Sequence, residues 1–337
     1  MKQKGFTLIE VMISLFIGGL VLGGVMFTYI GMKVTTRDTM TIGELQESGR
    51  LAINIMQRDI EQIGFWGTYY DDSFTAINTT TLAAPTNDCF EGLNNGSFPD
   101  LTSTSNFRTI YAKVAEESKE LNCVSNPVKD TDILQLKFLQ GNRLTVGAAG
   151  NETQAGQNYF IAEQERAQFV RGIVAPGSLN VNATVWPYSH HTYYISKQTY
   201  TVNNKSITVP ALMRQRLVED EVRAETIMEG VENMRFVFGL DTTANNRVDS
   251  YKSIEQMTPT DWENRKGILT VQVFLLIRAL QKDPGLNINN QTYTLGEGEY
   301  KRVIPKNAEE EFDKSYRRTV FTTTIRLNNV GSNLWRI

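Results

Sequence analysis

The sequence predicts an α+β protein in which one very long N-terminal helix packs on an antiparallel sheet. Three observations predict it. Val11 to Met32 is a run of 22 residues without a charge, apolar residues then recur at helical spacing as far as Ile63, and from Thr131 onward the pattern turns to strand-like alternation broken by Gly and Asn. The chain has 337 residues, 41% hydrophobic and 21% charged, which excludes a disordered polymer. Its 34 Lys and Arg against 37 Asp and Glu give a formal charge of −3, so no basic excess points to nucleic acid.

The apolar run comes first. At 1.5 Å per residue it reaches about 33 Å, which matches a hydrocarbon core of roughly 30 Å, although the mean hydropathy of the whole chain, −0.30, is that of a water-soluble protein. Lys2 and Lys4 precede it, so the positive-inside rule sets the N-terminus in the cytoplasm and everything after Lys33 outside it. A cleaved secretory signal begins in a similar way, but its apolar region is shorter, about 7 to 15 residues, and no helical pattern continues from it. Glu10 is foreign to that logic: an unpaired carboxylate in an apolar stretch costs on the order of 3 kcal/mol.

Lys4-Gly5-Phe6-Thr7-Leu8-Ile9-Glu10-Val11-Met12-Ile13 resembles the leader and mature start of type IV pilins and type II secretion pseudopilins. The resemblance implies a leader over 1–5, cleavage by a prepilin peptidase between Gly5 and Phe6, N-methylation of Phe6, and a role for Glu10 in pairing with the Phe6 amine of a neighbouring subunit during assembly. Gly5 suits the cut, because an extended backbone without a side chain enters a protease cleft readily. Cleavage removes two lysines and leaves a more acidic remainder.

Residues 6–32 form the transmembrane half of the helix and 33–64 the amphipathic half. Leu45, Ala52, Met56, Ile60 and Ile63 make one apolar stripe, with Glu44, Glu47, Arg50, Arg58 and Glu61 among the polar residues between, and Gly64 offers a stop. Gly18, Gly19, Gly23 and Gly24 read either as a surface for close helix packing or as glycine tolerated in a membrane helix.

Residues 65–337 then form an extracytoplasmic globular part. As far as Pro127 it is rich in Thr, Ser, Asn and Gly and reads as loops and short strands, with a short helix near Ala112 to Glu120. Cys89 and Cys123 are the only cysteines; in an oxidising compartment the economical expectation is a disulfide between them, stabilising by about 3 to 4 kcal/mol. Ile133 to Phe138 and Arg143 to Val146 read as a hairpin turning at Gly141-Asn142, and Tyr193 to Val202 and Ser206 to Leu212 as a second around Asn203-Asn204. Ala224 to Val231 reads as a short helix; Asn233 to Leu240, Ile268 to Leu280 and Arg318 to Leu327 read as strands.

Met56 to Gly67, the Tyr193-Tyr194-Ile195 strand, Glu229 to Met234, Phe238 to Asp241 and Tyr316 to Phe321 are jointly similar to PilW-type minor pilins, relatives of the J-type pseudopilins. The fold this implies is pilin-like, with elaborated loops on the sheet. The function it implies is priming of type IV pilus assembly in support of twitching, adhesion or DNA uptake. The implied partners are prepilin peptidase, other minor pilins, the major pilin, the inner-membrane assembly platform and, before assembly, membrane lipid; the implied place is the inner membrane and then the pilus, at or near the tip. A J-type pseudopilin of type II secretion and a membrane-anchored periplasmic binding or adhesive domain remain the alternatives.

Other sites read weakly. Asp241, Asn245 and Asp249 have the spacing of a calcium loop, but Thr243 and Asn246 depart from it and Lys252 stands where a glutamate belongs, so a polar turn is the better reading. His190 and His191 face opposite ways if they lie on a strand, which excludes a shared metal; they read as solvated loop residues. Glu309 to Glu311 read as a solvated charge cluster. The chain carries no GxSxG, HExxH, Walker A or GxGxxG, so no catalytic site, cofactor or metal centre is expected.

Overall fold

A computed structural model describes residues 5–71, 73–147, 149–202, 204–283, 286, 291–305 and 312–330, with the side chains of 202 and 205 also outside the description. Glu309 to Glu311 and Asn203 therefore lie outside the described residues. The chain divides into two compact units, one running to Glu47 and the other from Ser48.

Helix α1 (Leu8–Glu61) is unbroken for 54 residues. Thr7 and Glu10 cap its start reciprocally: Glu10 N–H donates to Thr7 Oγ1 at 3.4 Å, and Thr7 N–H donates to Glu10 Oε2 at 2.9 Å. The first unit is this helix up to Glu47, and its apolar side chains from Leu8 to Met32 are exposed. The helix is long and apolar enough to cross a membrane, with a mean hydropathy of 2.2 over its most apolar 18-residue window.

In the second unit the last turns of α1 lie on a mostly antiparallel sheet, which makes the architecture α+β. Ala52, Met56 and Ile60 are fully buried there. Gly64, at φ +88°, ends the helical course; a Cβ at that position would stand 2.4 Å from Val330 Cγ2. Asn329 Nδ2 donates to the carbonyl of Glu61 at 3.1 Å, which satisfies one of the helix's orphan acceptors.

The larger sheet is organised by three strands: β1 (Ile110–Val114), β2 (Asp132–Leu139) and β5 (Thr184–Val202). β5 is 19 residues long and is shared, pairing antiparallel with β2, with β3 (Asn158–Ala162) and with β6 (Lys205–Val218). β4 (Ala167–Arg171) extends the sheet beyond β3, and β7 (Glu221–Glu229) extends it beyond β6. The smaller sheet is β9 (Ser250–Ser253), β8 (Val231–Leu240), β10 (Ile268–Arg278) and β13 (Arg318–Arg326), in that order and fully antiparallel. A two-stranded ribbon, β11 (Tyr293–Leu295) with β12 (Arg302–Ile304), covers part of it.

Four local expectations give way. Ala112 to Glu120 is not helical: Ile110, Tyr111 and Val114 favour a strand, and the β2 ladder supplies the hydrogen bonds a helix would have made locally. Gly141 does turn the chain, at φ +72°, but the expected hairpin does not form; β2 pairs with β1 and β5, and Leu144 bridges to Val185. Ala224 to Val231 is strand through Glu229, because a tight turn at Glu219 (φ +55°) folds β7 back on β6. His190 and His191 are not solvated loop residues; they sit inside β5 at 1% and 3% exposure. The hairpin of β5 and β6, and the strands at β8, β10 and β13, form where the sequence pattern puts them.

Two layers cover the sheet at β2 and β5. Leu134, Leu136, His191 and Tyr193 lie on the face that meets α1, as the Asp59 contacts of His191 and Tyr193 require; Gln135, Lys137, His190 and Thr192 lie on the other. That second face is polar, yet Gln135, Lys137, His190 and Thr192 are buried. It is buried because the segment closed by the Cys89–Cys123 disulfide folds over it.

Candidate functional site

The N-terminal segment holds the residues expected to carry processing and assembly. Gly5, Phe6 and Glu10 are all exposed. Glu10 Oε2 accepts from both the Thr7 N–H and Thr7 Oγ1, at 2.9 and 2.8 Å. Oε1 accepts from no group among the described residues, so half of the carboxylate faces outward from the helix start.

A second constellation fixes the helix to the sheet, and no local pattern along the chain signals it. Asp59 on α1 is 5% exposed, and its Oδ2 receives three groups from β5 and β6. His191 Nδ1 lies 2.5 Å away, Tyr193 O–H donates at 2.6 Å, and Arg214 Nη1 stands at 3.6 Å. His191 and Tyr193 share a face because they are two residues apart, and Arg214 is the cross-strand partner of Tyr193. Arg214 is in turn held by Glu225 at 2.7 Å. Burial holds the His191 imidazole below its ordinary value in spite of Asp59, so it is neutral at pH 7 and donates from Nδ1. Burial, then the Asp59 charge, push the Tyr193 phenol well up. A carboxylate with two directed donors and a guanidinium beside them in a buried interface fixes register as well as position.

The opposite face carries a polar chain under the disulfide segment. Asn95 Nδ2 donates to Gln135 Oε1 at 2.9 Å, and Gln135 Nε2 donates to the Cys89 carbonyl at 2.8 Å and lies 3.3 Å from His190 Nε2. His190 Nδ1 is 2.8 Å from Ser97 Oγ, which donates to Asp88 at 2.6 Å. One proton assignment satisfies every member: His190 neutral with its proton on Nδ1, and Ser97 passing its own proton to Asp88. Burial and the nearby Lys137 push the His190 imidazole well down, in agreement. The Lys137 ammonium, buried and pushed down to about 7, donates to the carbonyls of Asn95 and Arg108 at 2.7 and 2.9 Å. Serine, histidine and aspartate meet here with the serine in the middle, its hydroxyl donating to the aspartate and not to the imidazole, which is a structural network and not a nucleophile activated by an imidazole.

Asp132 ties the larger sheet to both its neighbours: a buried ion pair to Arg302 of the ribbon at 2.8 Å, and a hydrogen bond from Phe236 N–H of the smaller sheet to the same carboxyl at 2.7 Å. Burial lifts Asp132 to about 6, against the pull of Arg302. The weak calcium-loop reading finds a turn: Asp241 accepts the N–H groups of Thr243, Asn245 and Asn246, and Asp249 accepts those of Thr242 and Thr243. Among the described residues no group of three or more His, Cys, Asp or Glu side chains is arranged to hold a metal ion.

Residues 1–26 match the Prokaryotic N-terminal methylation motif, and residues 192–329 match the family Type IV Pilus-assembly protein W. No curated protein and no solved structure matches the chain. A prepilin-type N-terminus at the head of one long apolar helix, followed by a sheet domain, defines a membrane-anchored protein of the pilin class. Within that class, residues 192–329 are similar to the type IV minor pilins of the PilW type. The family match begins at Thr192, so Asp59, the disulfide segment and both histidines lie outside it.

Proposed function

We propose that this protein is made as an inner-membrane precursor with a cytoplasmic N-terminus, is cut between Gly5 and Phe6 by prepilin peptidase, and is methylated on the new Phe6 amine. It then primes type IV pilus assembly with other minor pilins and the major pilin on the inner-membrane platform, in support of twitching, adhesion or DNA uptake. The observation that carries this reading is Glu10 itself, exposed at the first turn of a membrane-length helix with one carboxylate oxygen unspent. In the bilayer such a group is costly, and pairing with the Phe6 amine of a neighbour relieves the cost only on assembly.

The domain from residue 65 onward faces the periplasm in this arrangement. Its bulk favours low copy number at or near the pilus tip. The PilW match favours the pilus over the secretion machine, and the chain is read as the substrate of two processing steps and not as an enzyme. Mass spectrometry of the protein purified from a piliated cell tests the proposal. The expected mature terminus is N-methyl-Phe6, and an intact Met1 would reject it.

A further inference from the structure

Where the two sheets meet, β5 and β6 on one side and β8, β10 and β12 on the other enclose a cleft of about 740 Å³. That is well within the size of ligand-binding clefts. Nothing in the processing or assembly reading uses it.

Two features of the cleft ask for a partner. Asn233 on β8 is 5% exposed and lines it; its Nδ2 donates to the Asp130 carbonyl at 3.3 Å, while its Oδ1 is buried without a hydrogen-bond partner among the described residues. An acceptor left unmade in this way carries a desolvation penalty that an incoming N–H donor would recover. Lys129 and Lys197 are exposed at the same cleft, and neither has an ion pair or hydrogen bond among the described residues. The other cations there are committed: Arg302 holds Asp132 and Glu255, and Arg278 stands 3.6 Å from Glu232. The cleft therefore offers two spare positive charges, one buried acceptor, and an apolar wall that includes Pro210, Val303 and Phe312.

We infer that this cleft docks an extended segment of a partner protein, one that brings an Asp or Glu carboxylate to Lys129 and Lys197 and a backbone N–H to Asn233 Oδ1. A polypeptide carries all three complements on one ligand: an anion, a neutral N–H and aliphatic surface. A small inorganic anion would satisfy the lysines alone and leave the Asn233 oxygen and the apolar wall as they are.

The test is site-specific photo-crosslinking in cells with the full-length chain, the photoreactive residue replacing Val303, which is 41% exposed. The expected product joins this chain to a peptide of another protein with an acidic residue within a few positions of the link. Its yield should fall at least tenfold in the Lys129→Glu/Lys197→Glu variant and persist in Lys129→Arg/Lys197→Arg. Both lysines are exposed, so unchanged thermal unfolding of the reversed variant separates lost docking from lost fold. The inference is overturned by a product that survives charge reversal, by a linked segment without an acidic residue, by linkage to this chain's own residues 306–311, or by no linked product in the wild type. The readout does not depend on how the N-terminus is processed.

Discussion

His190 and His191 are adjacent in β5 and are bonded to opposite layers of the domain, His190 to Ser97 of the disulfide segment and His191 to Asp59 of α1. One dipeptide thus fastens the sheet to the cover on one side and to the helix on the other. Each imidazole is neutral for the same reason, burial, and each donates from Nδ1 to an oxygen more than 90 residues away.

Asp59→Ala should destabilise the domain by about 2–6 kcal/mol, because it leaves the His191 Nδ1–H and the Tyr193 hydroxyl buried without their acceptor, at about 1–3 kcal/mol each. Asp59→Asn should cost less, since a neutral acceptor remains. Chemical unfolding of the detergent-solubilised chain reads both; a loss below about 1 kcal/mol for the alanine variant would mean that apolar packing alone holds the helix to the sheet.

Stability should fall as pH drops below the ordinary histidine value of 6.5, because the unfolded chain then binds protons that buried His190 refuses. The folded value lies below the unfolded one, so the contribution is fully present above 6.5 and is lost on acidification, by at most about 1.4 kcal/mol per pH unit for one group. Asp132, lifted to about 6, acts in the opposite sense below that value. Comparison with His190→Gln cancels it, since Asp132 titrates alike in both proteins: the variant should show a shallower loss between pH 6.5 and 5, and parallel curves would count against a neutral buried imidazole.

Cys89→Ser/Cys123→Ser should cost about 2–5 kcal/mol and also expose the polar face of β2 and β5. The Cys89 carbonyl accepts from Gln135 and the Cys123 carbonyl from Gln215, so amide hydrogen exchange at β2 should rise more than exchange at β10 of the smaller sheet. Equal change in both sheets would show that the bridge stabilises only through the unfolded chain.

Gly49→Ala should destabilise, although alanine in place of glycine within a helix ordinarily gains about 1 kcal/mol. A Cβ at Gly49 would stand 2.4 Å from the ring of Phe321 on β13. A Phe321→Leu background should restore the ordinary gain, and a stabilised single variant would refute the close approach.

Glu10→Ala should leave cleavage at Gly5 and methylation of Phe6 largely intact and remove the protein from sheared pili. Its capping bonds to Thr7 are exposed and lie at the very end of a 54-residue helix, so loss of incorporation with normal abundance in the membrane would isolate the assembly role. Undiminished copurification with pili would end that assignment.

Much of this architecture was legible one segment at a time. The charge-free run, the stripe of Ala52, Met56 and Ile60, and the hairpin of β5 and β6 are all written in residues within a few positions of one another. The misread segments share a cause. Ala112 to Glu120 and Ala224 to Val231 have compositions that admit a helix, and it is a neighbouring strand, β2 or β6, that makes them extended. His190 and His191 look polar enough for a loop, until the segment closed by a disulfide covers the first and the last turns of α1 cover the second.

The sequence by itself determined what the N-terminus is: a leader-like junction, a membrane-length helix and one misplaced acid, because those are properties of contiguous residues and of a bilayer's thickness. Only the tertiary structure decided what holds the rest together. Asp59 meets His191 across 132 residues and Ser97 meets His190 across 93, and no period or motif in the chain encodes such pairings. They follow from strand register, which sends alternate side chains to opposite faces, and from burial, which makes each polar group costly until a distant partner satisfies it.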